Sequence, residues 1–212
     1  KNNTSNNALQ RNRGFMALMA TVFLGAITDN IFRIIVALFA TRLAADAGDS
    51  TSLALGSALF VVPYLLFSGY AGYIADRFDK RRVLIIVKSM EILAMALGYW
   101  ALMAGRMDLM LAVIFLTALQ SALFAPAHYG ILPEILPESA ISRANGLDQL
   151  CTFIAIVIGS AAGGAMSDAW GNDIPWIGGM LLAIAVLGGA SALSGLASGW
   201  RELLSVSVPR LP

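Results

Sequence analysis

Six long apolar blocks dominate the chain and limit the folds that it can adopt. A helix of about 20 apolar residues crosses the ~30 Å hydrocarbon core of a bilayer, and each block is close to that length. Charged residues make up only 13% of the chain, about half of the share found in soluble domains. The sequence therefore predicts an all-α polytopic membrane protein with six transmembrane helices. The predicted spans are Phe15–Ala40, Leu53–Ile74, Val83–Met103, Leu109–Ala127, Leu147–Ser167 and Trp176–Leu196.

Lysine and arginine are distributed unevenly between the two ends of these spans. If the spans alternate in direction, one side of the membrane receives ten of these residues outside the spans and the other side receives two. Positively charged residues in short loops are retained on the cytoplasmic side. Both termini of the segment are therefore predicted to be cytoplasmic. The larger set is Lys1, Arg11, Arg13, Arg77, Lys80, Arg81, Arg82, Arg143, Arg201 and Arg210, and the smaller set is Arg42 and Arg106.

Two pairs of segments indicate an internal repeat. The stretch FLGAITDNIF at 23–32 aligns with FLTALQSALF at 115–124, and four of the ten positions are identical. The same G-x-x-x-D spacing occurs at 72–76 near the end of span 2 and at 164–168 near the end of span 5. Three helices followed by three of opposite topology form the inverted repeat of many secondary transporters. The order of these segments predicts such a 3+3 inverted repeat.

The connection between spans 2 and 3 reads GYIADRFDKRRV. It resembles the signature G-x-L-x-D-R-x-G-R-[KR] of the major facilitator superfamily, with Asp79 at the position where that family usually has glycine. The resemblance implies one half of a major facilitator fold and a conformational latch at this loop, in which Gly72 allows two helices to approach closely. A simpler interpretation is that the basic residues only anchor the topology. The matching positions are Gly72, Asp76, Arg77, Lys80 and Arg81.

The same resemblance divides the chain into three parts. Residues 1–13 are expected to form a cytoplasmic N-terminal segment, and residues 14–198 the N-terminal transporter lobe with its six helices. Residues 199–212 are expected to begin a cytoplasmic linker to a C-terminal lobe.

Small residues recur along span 5 with the spacing of the superfamily's helix-5 glycine motif. Gly159, Gly163 and Gly164 are expected to allow close contact with a neighbouring helix, because small residues four apart let helices approach in lipid. In that family the motif is associated with exporters and antiporters. A general permease or efflux transporter for an amphipathic small molecule therefore stays open as an alternative function.

Two further segments are similar to the lysophospholipid transporter branch of the superfamily: FLGAITDNIFR in span 1, and FAPAHYGILPEILPESAISRANGL at residues 124–147. The resemblance implies a secondary transporter of the bacterial inner membrane that moves lysophospholipid by alternating access, for reacylation on the cytoplasmic side. The implied partners are lysophospholipid, membrane lipids, a C-terminal lobe and a fused or separate acyltransferase. His128 stands where that branch usually has lysine. Pro126, Pro133 and Pro137 are interpreted as helix ends and turns.

Polar residues in the middle of span 1 are costly in lipid and are expected to face a cavity or each other. Asp29 and Arg33 are four residues apart on one helix face, so they can form an ion pair. One interpretation is a self-neutralised structural pair. The other is that this face, with Asn30, lines a cavity and binds a zwitterionic or anionic headgroup, or that Asp29 exchanges a coupling proton.

Spans 3 and 4 carry further buried polar candidates. Gln120 lies in span 4 at nearly the depth of Asn30 and would add hydrogen bonds to the same face. Glu91 follows Lys88 by three residues in span 3, and the two form a second possible ion pair. We interpret that pair as either structural or part of the substrate-binding or coupling site.

No pattern in the sequence predicts catalysis. The sole histidine is His128, and the H-x-x-x-x-D motif of glycerolipid acyltransferases is absent because Pro133 stands at the aspartate position. The sequence has no metal-ligand cluster, no glycine-rich phosphate loop and no arrangement of nucleophile and histidine. It therefore predicts a transporter that needs no cofactor or metal and does not bind nucleic acid.

Overall fold

The computed structural model describes residues 13–47, 51–170 and 174–206, which form six α-helices and, within those ranges, no strand. All six helices contain a segment long and apolar enough to cross a membrane. The prediction of a polytopic all-α membrane protein is therefore confirmed. The helices are α1 (Arg13–Ala47), α2 (Thr51–Arg77), α3 (Lys80–Ala104), α4 (Met107–Ile135), α5 (Glu138–Trp170) and α6 (Ile174–Val206).

The ends of α4 and α5 differ from the predicted ends. Pro126 and Pro133 lie inside α4, which runs to Ile135, and only Pro137 lies in the turn before α5. A proline has no backbone N–H, so one carbonyl of the helix loses its hydrogen-bond donor. In a membrane bundle, groups on neighbouring helices can satisfy that carbonyl, and the helix continues through the proline. The interpretation of Pro126 as a helix end or turn is therefore wrong, whereas Pro133 lies in the last turn of α4, two residues before its end. At about 1.5 Å per residue, the 29 residues of α4 extend beyond a ~30 Å hydrocarbon core.

The predicted terminal segments fall largely outside the described residues. Of residues 1–13, only Arg13 is described, as the first residue of α1. Helix α6 continues to Val206 and so includes the first part of the predicted linker.

The turn between α2 and α3 is made without a left-handed residue. Asp79 precedes α3 with φ −55°, and its side chain accepts a hydrogen bond of 2.9 Å from the backbone N–H of Arg81. This contact satisfies one of the free donors at the start of a helix. Aspartate therefore replaces the glycine of the signature by acting as an N-cap.

The helices pack in a pattern that is symmetric in sequence order. Helix α1 packs mainly against α5 and α6, helix α4 packs mainly against α2 and α3, and α3 also packs against α6. If α1, α2 and α3 are exchanged with α4, α5 and α6, the same set of main pairs is obtained.

Two apolar clusters lie at opposite ends of the bundle. The near cluster, at the end where α1 begins, includes Phe15, Val83 and Leu132, and the far cluster includes Phe32, Leu102 and Met110. The segments of α1, α3 and α4 between the clusters contain most of the buried polar side chains. This polar layer consists of Thr21, Thr28, Asn30, Lys88, Glu91, Thr117 and Gln120.

Glycines allow close packing of α5 on α1 at two positions. A Cβ at Gly159 would lie 2.9 Å from the carbonyl oxygen of Ile27, and one at Gly163 would lie 3.0 Å from the Cβ of Ile34. Gly164 and Gly72 differ, because a Cβ at either would meet nothing within 4 Å among the described residues. No close helix contact is therefore made at these two glycines among the described residues of this lobe.

Candidate functional site

The polar layer is built around a buried ion pair on α3. Lys88 and Glu91 are only 4% and 1% exposed, and Lys88 Nζ lies 2.5 Å from Glu91 Oε2. Lys88 also donates to the backbone carbonyl of Thr21, at 3.4 Å, which ties α3 to α1. Gln120 Nε2 donates to Glu91 Oε2 at 3.1 Å and ties α3 to α4. The pair therefore holds three helices together in the middle of the bundle.

Gly25 provides the space for this ion pair. A Cβ at position 25 would lie 2.7 Å from Lys88 Nζ and 3.3 Å from Glu91 Oε1. A side chain at this position would therefore displace the ammonium group or break its contact with the carboxylate.

Asp29 connects to this layer through Ser121. The Ser121 hydroxyl lies 3.1 Å from Asp29 Oδ2 and 3.2 Å from Gln120 Oε1, so it can donate to either oxygen. A chain of polar contacts thus runs from half-buried Asp29 to buried Glu91. The second carboxylate oxygen of Asp29, Oδ1, is buried and has no hydrogen-bond partner among the described residues.

Arg33 does not pair with Asp29. Its guanidinium donates to the side-chain oxygen of Asn30 and lies 4.3 Å from the centroid of the Phe60 ring. Among the described residues, no ion pair within 4 Å involves Asp29. The predicted ion pair is therefore absent, because Asp29 turns towards Ser121 on α4 and Arg33 turns towards Phe60 on α2.

Asn30 and an aromatic pair on α2 complete this region. Asn30 Nδ2 donates to the carbonyl oxygen of Ala26 at 2.7 Å, which orients its side-chain oxygen towards Arg33. The Phe60 and Tyr64 rings lie 5.8 Å apart, and Tyr64 interacts electrostatically with both Asp29 and Arg33. The structure thus places Asp29, Gln120 and Glu91 along one chain of polar contacts, and Asn30 and Arg33 in a neighbouring contact on α1.

The residues of the signature loop make different contacts. Lys80 Nζ lies 2.6 Å from Glu134 Oε1 on α4, and its side chain packs directly over Gly130. Arg77 donates to the hydroxyl of Tyr73 on its own helix. Asp76 is exposed and has no hydrogen bond or ion pair among the described residues. Arg81 contacts the Asp79 cap through its backbone.

A second buried polar pair joins α4 to α5. His128 Nε2 lies 2.9 Å from Asp148 Oδ1, and both side chains are buried. Next to it, Gln149 Nε2 donates to the Tyr129 hydroxyl at 2.6 Å. The sequence analysis did not pair His128 with Asp148. A signal was present, because Asp148 is an acidic residue inside a predicted span, as Asp29 is.

The chain can be compared with known proteins. Residues 17–205 match the family model of the Major Facilitator Superfamily, so the chain belongs to that superfamily and is a multi-pass membrane protein. This agrees with the signature between α2 and α3.

Relatives with assigned names are similar over most of the chain. The lysophospholipid transporter LplT of Photorhabdus laumondii is 33% identical over 161 residues, which are 74% of this chain and 37% of that protein. LplT of Cronobacter sakazakii is 32% identical over 183 residues, 85% of this chain and 42% of that protein. LplT of Escherichia coli strain HS is 32% identical over 167 residues, with 74% and 37% covered. The chain thus spans about two fifths of the length of these relatives.

Proposed function

We propose that this chain is the N-terminal half of a lysophospholipid transporter that works by alternating access. Three of its relatives have that transport activity in their names, and the chain spans 37–42% of their length. Major facilitators consist of two halves of six helices each, and each half is built from inverted repeats of three. The symmetric helix packing supports a 3+3 repeat in this chain.

The observation that carries the proposal is the separation of Asp29 from Arg33. Both side chains are half-buried in the middle of α1, and they form no direct ion pair, although Arg33 is close enough to act on the charge of Asp29. Charges at this depth are costly unless a partner or a water-filled cavity compensates them. A phosphoethanolamine headgroup offers both partners, because its ammonium can pair with the half-buried carboxylate of Asp29 and its phosphate can bind the guanidinium of Arg33.

Buried side chains of the polar layer are hydrogen-bonded to this site. Ser121 and Gln120 link Asp29 to the Lys88–Glu91 pair, whose side chains are too buried to contact a ligand directly. Hydrogen bonds from a second set of residues fix the geometry of those that contact the substrate. Asn30, Glu91 and Gln120 are therefore proposed as positioning residues, and half-buried Asp29 and Arg33 as substrate-contacting residues.

The signature loop is proposed to act as the latch between the two halves. Lys80 is bound within the lobe by Glu134, whereas Asp76 is exposed and Gly72 faces open space. An exposed carboxylate at a helix end is available to accept hydrogen bonds from a second lobe. In this proposal that contact forms in one state of the transport cycle and breaks in the other.

The remaining expectations depend on the orientation in the membrane. Ten lysine and arginine residues outside the predicted spans fall on one side and two on the other, which supports cytoplasmic termini in the bacterial inner membrane. Movement towards the cytoplasmic leaflet would deliver lysophospholipid to an acyltransferase, fused or separate, for reacylation. Membrane lipids surround the exposed apolar side chains of α2 and α5, such as Leu65, Leu66, Phe153 and Val157.

The proposal is tested with the full-length protein in proteoliposomes. Labelled lysophosphatidylethanolamine is added to one leaflet, and its appearance in the other is followed over time, against liposomes without protein. We expect transport that unlabelled lysophosphatidylethanolamine competes for and that a single-chain alcohol of equal length does not. A general permease for amphipathic molecules, the alternative, would be inhibited by both competitors, and that result would contradict the headgroup site.

A further inference from the structure

Helices α4 and α5 are joined by two consecutive side-chain contacts. His128 contacts Asp148, and Tyr129 contacts Gln149, so the same separation of 20 residues occurs twice. The backbones of α4 and α5 approach each other closely at only a few positions. These side-chain contacts are therefore a principal connection between the two helices.

The inner contact is a titratable pair in an apolar environment. His128 is 3% exposed and Asp148 is 1% exposed. With Nε2–H donating to the Asp148 carboxylate, His128 Nδ1 has a free lone pair, and this atom is buried without a hydrogen-bond partner among the described residues. A neutral imidazole and a carboxylate together have a charge of −1. One added proton gives an imidazolium beside the carboxylate, and the pair then has no net charge.

Helix α3 places two cations close to residues that neighbour this pair. Lys88 Nζ lies 4.9 Å from the centroid of the Phe124 ring, and that ring stacks on His128 at 5.2 Å. The charge of Lys88 opposes protonation of His128, but Glu91 offsets it at 2.5 Å. Lys80, which packs over Gly130, is likewise offset by Glu134 at 2.6 Å.

Apolar residues of the near cluster flank the pair along both helices, since Ala127 precedes His128 and Ala144 lies one turn before Asp148. Phe15 of α1 and Ala75 of α2 belong to the near cluster that also contains Ala127 of α4. On α4 itself, Tyr129 packs edge-on against the His128 ring, with ring centroids 5.0 Å apart. Most titratable side chains of α2 and α5 near this end are exposed, whereas Cys151 on α5 is half-buried. The exposed ones include Tyr73, Asp76, Arg77, Glu138 and Arg143.

We propose that His128 and Asp148 form a proton-binding site that controls the connection between α4 and α5. A proton from water binds to Nδ1 of His128, and the hydrogen bond from Nε2 to Asp148 becomes an ion pair. The protonated pair holds α4 against α5, and loss of the proton weakens that contact. The link to a transport cycle rests on the proposed function, whereas the proton site itself does not.

Titration of His128 is measured directly in the full-length protein by NMR, with ¹³C at histidine Cε1. The resonance that is missing from the spectrum of the His128→Gln variant belongs to His128. We expect this resonance to shift between about pH 5 and pH 8, where histidine side chains change charge. In Asp148→Asn the pH dependence of the shift should change. A His128 resonance that does not move across this range overturns the proposal, whatever the substrate of the transporter.

Thermal unfolding measures the effect of the proton on the helix contact. If protonation holds α4 against α5, the melting temperature of the wild type should be higher at low pH, where the pair is protonated, than at high pH, where it is not. In His128→Gln and Asp148→Asn, we expect that difference to shrink by at least about half. His128→Lys supplies a permanent cation to Asp148 and should also reduce it.

The adjacent contact supplies a matched control. Gln149→Leu removes the hydrogen bond to Tyr129 between the same two helices, but it removes no titratable group and leaves Tyr129, whose side chain also interacts with Asp148, in place. It should therefore retain the pH dependence of the wild type. Equal pH dependence in the wild type, His128→Gln and His128→Lys would overturn the proposal.

Discussion

Asp29 and Ser121 meet in the middle of the bundle, with their side-chain oxygens 3.1 Å apart, although 92 residues separate them in the chain. They occupy the same position in the two aligned segments 23–32 and 115–124. In an inverted repeat, equivalent residues of equivalent helices can meet only near the two-fold axis. This contact therefore supports the proposed repeat and places Asp29 close to its axis.

Removing the hydroxyl of Ser121 tests the support of Asp29. Ser121→Ala deletes a hydrogen bond to a carboxylate, worth about 1.5–3 kcal/mol, without changing any charge. We expect normal insertion and lower uptake of labelled lysophosphatidylethanolamine by the full-length protein. Ser89→Ala is the control, because the Ser89 hydroxyl is exposed and bonds only to the carbonyl of Ile85 on its own helix. Equal uptake by both variants would contradict a role for Ser121.

Gly25→Ala tests the close packing of the central ion pair. The added methyl group would lie 2.7 Å from Lys88 Nζ, so the ammonium must move away from Glu91 or the helices must separate. We expect a loss of stability of about 1–3 kcal/mol, as for other overpacked sites. It is measured by thermal unfolding of the purified protein. Gly179→Ala, where a Cβ meets nothing within 4 Å, should not destabilise the protein.

The Lys88–Glu91 pair allows a test of whether each buried charge needs the other. Glu91→Gln leaves Lys88 as a buried cation without a counter-ion, and breaking a buried pair in this way costs about 3–5 kcal/mol. Replacing both residues, Lys88→Met with Glu91→Leu, removes both charges and should be much milder. The amount of inserted protein and its melting temperature measure the difference. If the double variant is as unstable as Glu91→Gln, the pair stabilises the bundle through more than its charges.

Asp76→Asn tests the proposed latch. Because Asp76 is exposed and has no hydrogen bond or ion pair among the described residues, the substitution should leave insertion and stability unchanged. Transport by the full-length protein should nevertheless fall if Asp76 contacts a second lobe. Asp168→Asn is the control, since it has the same G-x-x-x-D spacing on α5 and is also exposed. Unchanged transport in Asp76→Asn would leave the loop with only the role of a topology anchor.

The number and order of the helices could be predicted from the sequence because the thickness of the membrane sets the length of an apolar block. The helix ends could not be predicted equally well. Proline usually ends a helix because it lacks a backbone N–H. Helix α4 nevertheless continues past Pro126, because it packs against α2 and α3. Asp79 is a second example. It acts as an N-cap because the backbone N–H of Arg81 points at its carboxylate, and that orientation is a property of the folded turn.

The position of the candidate site could also be predicted, since charged residues in a span are rarely tolerated without a function. The partners of each charge could not. Helical spacing allowed Asp29 to pair with Arg33, but Ser121 on α4 and Phe60 on α2 determine where each side chain points. The alignment of 23–32 with 115–124 contained a signal for the contact between Asp29 and Ser121, although it did not reveal which residues touch.

The most direct test of the account is lysophospholipid uptake by variants of Asp29 and Arg33. Asp29→Asn, Arg33→Gln and the double variant are compared in proteoliposomes with labelled lysophosphatidylethanolamine, normalised to inserted protein. If the two charges bind the headgroup separately, each single variant should lose at least about tenfold in uptake, the equivalent of one charge-assisted contact. The double variant should insert normally and be at least as inactive. Near-normal uptake by the double variant would contradict the proposed site.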